Sequence, residues 1–311
     1  MTTIDTAPPS AAGSAAPAAG QPSSDRVRSE RRLGLMLCAP AVIIMLVVTA
    51  YPIAYAFYLS LFRADLRTPD NNTFIGLDNY QTVLSSPIWW TAFGFTFLLM
   101  VVTTALELML GMLLALVMHR TIVGRGLVRT SALVPYAIVT VVAAFSWRFA
   151  WTQDIGYLAG DSAPLTDRTE SFWIIVLAEV WKTVPFMALL LMGGLALIPD
   201  DLLKAASLDG AGAWQRFWRI IVPMMKPAIL VALLFRSLDA FRIFDNIFIL
   251  TSGSNKTASV SILAYNNLIR GLNLGIGSTM AVLIFFTIAV IAFMYIKLFG
   301  AAAPGSGEGK R

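Results

Sequence analysis

The chain has 311 residues, of which 57% are apolar and only 13% charged, with a mean hydropathy of +0.72. Soluble domains carry roughly a quarter charged residues, so an ordinary soluble enzyme is excluded and a polytopic membrane protein is expected. One Cys, Cys38, rules out an intrachain disulfide, one His, His119, rules out any site needing two histidines, and the net charge of +5 reports topology rather than a nucleic-acid partner.

In chain order, residues 1–25 hold seven Ala, four Pro and four Ser, a composition that buries too little apolar surface to fold and predicts a disordered cytoplasmic tail. Arg26, Arg28, Arg31 and Arg32 then precede an apolar run from Leu33 to Phe62. That run is about twice the length of a signal-peptide core and predicts an uncleaved spanning helix, bent or tilted near Pro40 and Pro52. Five more spans are expected, over Trp89–Met118, Leu127–Ala150, Phe172–Ile198, Pro227–Leu250 and Ser278–Phe299. A flexible C-terminal tail follows over 301–311. Of the 23 basic residues, fourteen lie in the N-terminal tail, the second and fourth loops and the C-terminus, against five in the other loops. The asymmetry places both termini in the cytoplasm of a multi-pass inner-membrane protein. The loops are too short for a separate catalytic domain, and neither a nucleotide loop nor a GxSxG elbow is present, so chemistry has to come from a partner.

The fourth loop is the most informative. Pro199, Asp200 and Asp201 suit the first turn of a short helix, with Leu202, Leu203 and Ala206 on one face and Gly210 as its stop. Trp214, Phe217 and Trp218 then fall at i, i+3 and i+4 beside Arg216 and Arg219, ahead of Pro223, as for a second helix at the membrane boundary. By physics alone this is an interfacial amphipathic loop.

The polar residues inside the spans need partners or water. The fifth span carries Arg236, Asp239, Arg242 and Asp245 at steps of three, alternating in sign and within reach of one another if the helix is continuous. The fourth holds Glu179, Lys182 and then Pro185, a candidate kink. Structural glue between helices is one reading of these charges, and a substrate path is the other. For an uncharged, hydroxyl-covered ligand, Trp181, Asp239, Arg242, Asp245 and Asn246 supply suitable aromatic, carboxylate, guanidinium and amide groups, with Glu107, Trp147 and Arg148 as weaker candidates.

The fourth loop also resembles the conserved cytoplasmic loop of permease subunits in binding-protein-dependent ATP-binding-cassette (ABC) importers, Glu-Ala-Ala, three residues, Gly, nine residues, Ile-x-Leu-Pro. The matching positions are Lys204, Ala205, Ala206, Gly210, Ile220, Val222 and Pro223, with Lys204 in place of Glu and Val222 in place of Leu. Phe74 to Tyr80, Leu133 to Tyr136 and Phe244 to Thr251 resemble further segments of the maltose-type sugar permeases. The resemblance implies an all-α, type I ABC importer permease fold, with a six-helix transmembrane domain at 26–300 and an ATPase-coupling loop at 199–223. In that loop Lys204, Ala205, Ala206, Asp209, Gly210 and Pro223 meet the ATPase. It implies no cofactor in this chain, ATP and Mg being bound by the partner ATPase. The implied partners are a homologous second permease, two copies of a cytoplasmic ABC ATPase, an extracytoplasmic sugar-binding protein and membrane lipid. The cargo implied is a sugar, a disaccharide such as trehalose. A self-sufficient secondary transporter, with the intramembrane charges coupling ion flow, is the alternative.

Overall fold

The structure is a computed structural model and describes residues 24–120 and 124–302. The tails expected at 1–25 and 301–311 lie outside the described residues, save for residues 24, 25, 301 and 302 at helix ends. The chain divides at Ala54 and Tyr55 into two units. The first contains the N-terminal part of helix α1 (Ser24–Ser60), which runs helically through Pro40 and Pro52 and carries the free Cys38.

The second unit holds α2 (Asp78–Ser85), α3 (Pro87–Arg120), α4 (Arg125–Ala137), α5 (Thr140–Ala150), α6 (Arg168–Leu195), α7 (Asp200–Leu208), α8 (Ala213–Arg216), α9 (Val222–Phe241), α10 (Asp245–Leu250), α11 (Val260–Tyr265) and α12 (Leu274–Ala302). A two-residue hairpin, β1 (Phe62–Arg63) with β2 (Thr73–Phe74), pairs Phe62 with Phe74. Asn79 Nδ2 donates to the carbonyls of Ser60 and Phe62, both at 2.9 Å, and ties this hairpin to α2.

Among the described residues, five helical stretches are long and apolar enough to cross a bilayer: Arg32–Ser60, Pro87–His119, Arg168–Leu195, Ala213–Leu250 and Leu274–Leu298. Helices α4 and α5 together supply the length of a sixth, but they meet at 82° rather than forming the single span expected over Leu127–Ala150. Two sequence features explain the break. Pro135 offers no N–H to the preceding turn, and Ile138, Val139, Thr140, Val141 and Val142 form a β-branched run that resists helical rotamers. The expected fifth span is also interrupted, because α9 ends at Phe241 and α10 starts at Asp245. The carbonyl of Ile243 in that gap is satisfied by Ser259 Oγ at 2.9 Å. Helix α6, in contrast, continues unbroken through Pro185.

Helix α6 is the axis of the packing. It lies against α3 along most of its length and also contacts α4 and α9. Its start is capped by Asp167, outside the membrane, whose Oδ1 accepts the N–H groups of Glu170 (3.0 Å) and Thr169 (2.7 Å). These two bonds hold the Asp167 carboxyl below the usual carboxylate range. One apolar cluster joins Phe95 and Leu99 of α3 to Ile174, Ile175 and Val180 of α6 and Ile247 of α10. A second joins Met112 and Met118 to Met187, Leu191, Leu195 and Met225. Where the two clusters meet, on α3, α6 and α9, stand Glu107, Glu179 with Thr183, and Arg236, so a polar layer sits near the middle of these helices.

Helices α6 and α9 approach closely at Gly194, where an added Cβ would lie 2.4 Å from the Cβ of Ala228, whereas one at Gly193 would meet nothing within 4 Å. Gly193→Ala should therefore leave the melting temperature of detergent-solubilised protein unchanged or raise it, since Ala favours helix. Gly194→Ala should lower it by an amount corresponding to about 1 to 3 kcal/mol of overpacking. Equal effects of the two substitutions would contradict the close approach.

Candidate translocation path and coupling loop

Arg236 of α9 is fully buried, and its guanidinium reaches carboxylates on three helices. Nε and Nη2 both bind Glu107 of α3, the Nη2 to Oε1 distance being 2.9 Å. Nη2 also donates to Glu179 Oε1 of α6 at 2.8 Å, and Nη1 to Asp239 Oδ2 one turn along α9 at 2.6 Å. Thr183 Oγ1 donates to Glu107 Oε1 at 2.5 Å, and Asn246 Nδ2 of α10 to Glu179 Oε2 at 3.0 Å. The forked, planar donor set of arginine suits this many-sided contact in a way a lysine would not.

Asp239 marks the edge of this layer, with 65% of its side chain exposed. It opens onto a cavity of about 740 Å³ lined by Tyr136, Ile138, Val139 and Thr140 at the bend of the third span, by Glu179, Lys182 and Thr183 of α6, and by Asp239, Arg242, Ile243, Phe244, Asp245 and Asn246 at the break of the fifth. Four of the five candidate path residues, Asp239, Arg242, Asp245 and Asn246, thus converge on one cavity. Trp181 does not: it packs edge-on against Trp147 of α5 at 6.1 Å, one residue and about 100° around α6 from Lys182. The charge ladder is formed only in part. Arg236 and Asp239 pair, whereas Arg242 at the end of α9 donates to the Leu238 carbonyl at 3.3 Å and Asp245 begins the next helix, because the backbone breaks between them. Glu179 and Lys182 likewise take separate partners, Arg236 and the Ile138 carbonyl.

Tyr136, Lys182, Thr183 and Phe244, which the sequence does not single out as path candidates, also line the cavity, and Glu107, a weaker candidate, is bound to Arg236. Glu107 had one available signal: it is the only charged residue between Trp89 and Met118 and so required a cation from another helix. A second cavity, about 400 Å³, joins Arg148, Trp151 and Thr152 to Thr251, Ser252 and Asn255. Arg148 Nη1 donates to the Ile249 carbonyl at 3.0 Å. Among the described residues no group of three or more His, Cys, Asp or Glu side chains is placed to hold a metal ion.

The fourth loop folds as two short helices. Asp200 and Asp201 occupy the first turn of α7 behind Pro199, where the helix dipole favours acids. The end of α7 is a Schellman turn: Gly210 has φ +81°, its N–H meets the Ser207 carbonyl at 3.2 Å, and the Ala211 N–H meets the Ala206 carbonyl at 2.9 Å. Lys204 is exposed and pairs with Asp201 at 3.1 Å, and the Asp209 side chain is exposed. None of α7 is buried, and Leu208 is 89% exposed. Trp214, Phe217 and Trp218 cluster with centroids 5.1 to 6.2 Å apart. Pro223 sits in the first turn of α9, and since it has no N–H for the Arg219 carbonyl, the preceding turn widens to π geometry, with the Val222 N–H bonded to the Phe217 carbonyl.

The model of the family described as binding-protein-dependent transport system inner membrane component matches residues 107–302. The chain belongs to this family. It is a permease subunit of an ABC importer and a multi-pass inner-membrane protein, not itself an enzyme, and nothing supports a secondary transporter. It is 61% identical over 281 residues to the trehalose transport system permease protein of Mycobacterium tuberculosis, covering 89% of this chain and 92% of that protein. It is 37% identical over 279 residues to the trehalose/maltose transport system permease protein of Thermococcus litoralis, covering 86% and 94%. A solved bacterial ABC transporter that imports the acidic polysaccharide alginate has the same fold, with a TM-score of 0.75 at 21% identity over 89% of this chain and 98% of that one.

Removing the guanidinium from this permease leaves Glu107 and Glu179 buried without a cation. Arg236→Met should destabilise the protein by about 3 to 5 kcal/mol. Arg236→Met combined with Glu107→Gln should recover part of the loss. Thermal unfolding in detergent measures both, and a single variant as stable as the parent would show that the charges are not coupled.

Proposed function

We propose that this permease carries an uncharged sugar, a disaccharide of the trehalose class, through the cavity bordered by Asp239, Arg242, Asp245 and Asn246. The observation that carries the reading is that cavity. It lies beside the polar layer, has the volume of a small-molecule site, and offers Glu179, Asp239 and Asp245 against Lys182 and Arg242. A nearly balanced set of charged donors and acceptors suits hydroxyl groups better than an ion. The names of the relatives in Mycobacterium tuberculosis and Thermococcus litoralis support the class of cargo. On this reading the subunit works with a homologous permease, two copies of a cytoplasmic ABC ATPase that bind ATP and Mg, and an extracytoplasmic sugar-binding protein. Both termini and the loop at 199–223 face the cytoplasm.

The loop around Lys204, Ala205, Ala206, Asp209, Gly210 and Pro223 is the proposed ATPase contact. Exposed α7 offers small residues where another backbone has to approach, and its Gly210 turn fixes the angle between α7 and α8. A β-branched residue at φ +81° is strained by about 1 kcal/mol or more. Gly210→Val should leave the permease inserted at normal levels while binding-protein-stimulated ATP hydrolysis and uptake fall together in proteoliposomes. Full stimulation in that variant would return the loop to a plain interfacial anchor.

Arg242 and Asp245 test the cargo directly, because neither is held in the Arg236 network. Arg242→Gln and Asp245→Asn should assemble normally and reduce labelled trehalose uptake by about tenfold or more, the loss for a charged hydrogen bond to ligand. Unchanged affinity, rate and selectivity in both would remove the cavity from the path. For orientation, in a Cys38→Ser background, Lys204→Cys should react with impermeant thiol reagents only from the cytoplasmic side and Lys256→Cys only from outside.

A further inference from the structure

The bend in the third span poses a problem that the structure answers with a single side chain. A helix that turns by 82° between Ala137 and Thr140 leaves carbonyls that no following N–H reaches. Inside a membrane such groups require a partner in the protein or in trapped water. Ile138, at the end of α4, is extended (φ −71°, ψ 135°), and its carbonyl accepts a hydrogen bond from Lys182 Nζ of α6 at 2.7 Å. The same ammonium lies 5.9 Å from the centroid of the Tyr136 ring, and Tyr136 stacks on Phe186, one turn further along α6, at 5.2 Å. The last turn of α4 is therefore fastened to α6 at two neighbouring points.

Beyond the bend the attachment changes. Helix α5 packs on α10, and Arg148 of α5 donates to the Ile249 carbonyl of α10 at 3.0 Å. One arm of the span follows α6, and the other rests mainly on the far side of the break in the fifth span, touching α6 at Trp147 against Trp181. Lys182 stands at the seam between them, and both it and Ile138 line the cavity.

We propose that Lys182 is the positioning residue that links occupancy of the cavity to the angle of the third span. This rests on reading the cavity as the sugar's passage. An ammonium has three N–H donors and no acceptor, so hydroxyl oxygens of a ligand entering the cavity offer it new acceptors and draw it away from the Ile138 carbonyl. Glu179, Asp239 and Asp245 line the same cavity and give the ammonium acceptors on release. An empty cavity holds the Ile138 carbonyl and the bend. A filled one frees α5 to move with α10.

Spin labels on Leu127→Cys and Phe145→Cys, both exposed positions flanking the bend, report the angle in the assembled importer with Cys38 replaced by Ser. Electron–electron distance measurements are made with and without trehalose-loaded binding protein. The parent should show a sugar-dependent change in distance, and Lys182→Arg should keep it. Lys182→Met, which keeps the apolar stem but ends one atom short and has no donor, should lose it, and its maximal uptake rate should fall by about tenfold while half-saturation moves far less. Should the Met variant not assemble, Lys182→Gln replaces it, since its amide stops one bond short of the Ile138 carbonyl, and the same loss is expected. A parent that transports without any change in distance overturns the proposal, as does a Met or Gln variant that behaves as the parent, or an Arg variant that assembles but loses the change. Absence of trehalose uptake in the parent would instead overturn the proposed cargo, a result read separately from the ligand-free distance, which should still differ between the parent and Lys182→Met.

Discussion

Arg236 is the constraint around which this permease is arranged. Helices that meet in lipid gain little from burying leucine against leucine, since the lipid tails are equally apolar, so apolar faces alone hold helix register loosely. A buried guanidinium is less permissive. Its donors bind Glu107 of α3, Glu179 of α6 and Asp239 of its own helix, and a slide of one residue along any partner would leave a charge without its counter-ion. On one side of it α3 and α6 return to apolar packing at Leu99 and Ile175, and on the other α3, α6 and α9 do so at Met112, Met187, Leu191 and Met225. The ionic layer sets the register, and the apolar clusters fill the space that this register leaves.

The same need for satisfied polar groups explains where the cavity lies. Irregular backbone survives at membrane depth only where it is buried in protein or lines a wet space. The two interrupted spans obey that rule. Ile138 at the first break is bound by Lys182, Ile243 at the second by Ser259, and both breaks border the cavity. Charged side chains in spans obey it too, which is why Asp239, Arg242 and Asp245 gather at the same place. Broken backbone and partly exposed charge both need polar surroundings at membrane depth, and in this fold they line one cavity.

What the sequence makes legible follows from the range of each signal. Apolar runs and the Pro-Asp-Asp start and Gly stop of α7 are local, so the spans and the fourth loop, with its turn at Gly210, are readable from the chain alone. The cavity residues of the fifth span are readable as well, because polar groups within twenty apolar residues are conspicuous. Partnership is not. Arg236 and Glu107 lie 129 positions apart, and nothing along the chain says that the nearer pairing of Arg242 with Asp239 or Asp245 gives way to a break in the helix. The bend at Ile138 is written only faintly, in Pro135 and a β-branched run that many straight spanning helices tolerate. Composition identifies Trp181 as a sugar-friendly ring without giving its direction, and on α6 the direction of the cavity belongs to Lys182.

Helix α6 supplies the geometric link between the cavity and the exposed loop. From Glu179 at the polar layer to Leu195 at its end is sixteen residues, or roughly 24 Å of continuous helix. Only a short turn, in which the Ile198 N–H meets the Leu195 carbonyl at 3.1 Å, separates that end from α7. Along this length α6 is gripped by Met112 and Met118 of α3 and by Met225 of α9, with Gly194 seated against Ala228. A close-packed interface of this kind does not deform by degrees, so a push on α7 moves these three helices as a body or not at all. Helices α5 and α10, which lie across the two breaks, join that body at few points, Trp147 against Trp181 and Asn246 against Glu179 among them. The continuous body ends at the two breaks, so relative movement of its neighbours is concentrated at Ile138 and at Arg242 to Phe244, the two walls of the cavity.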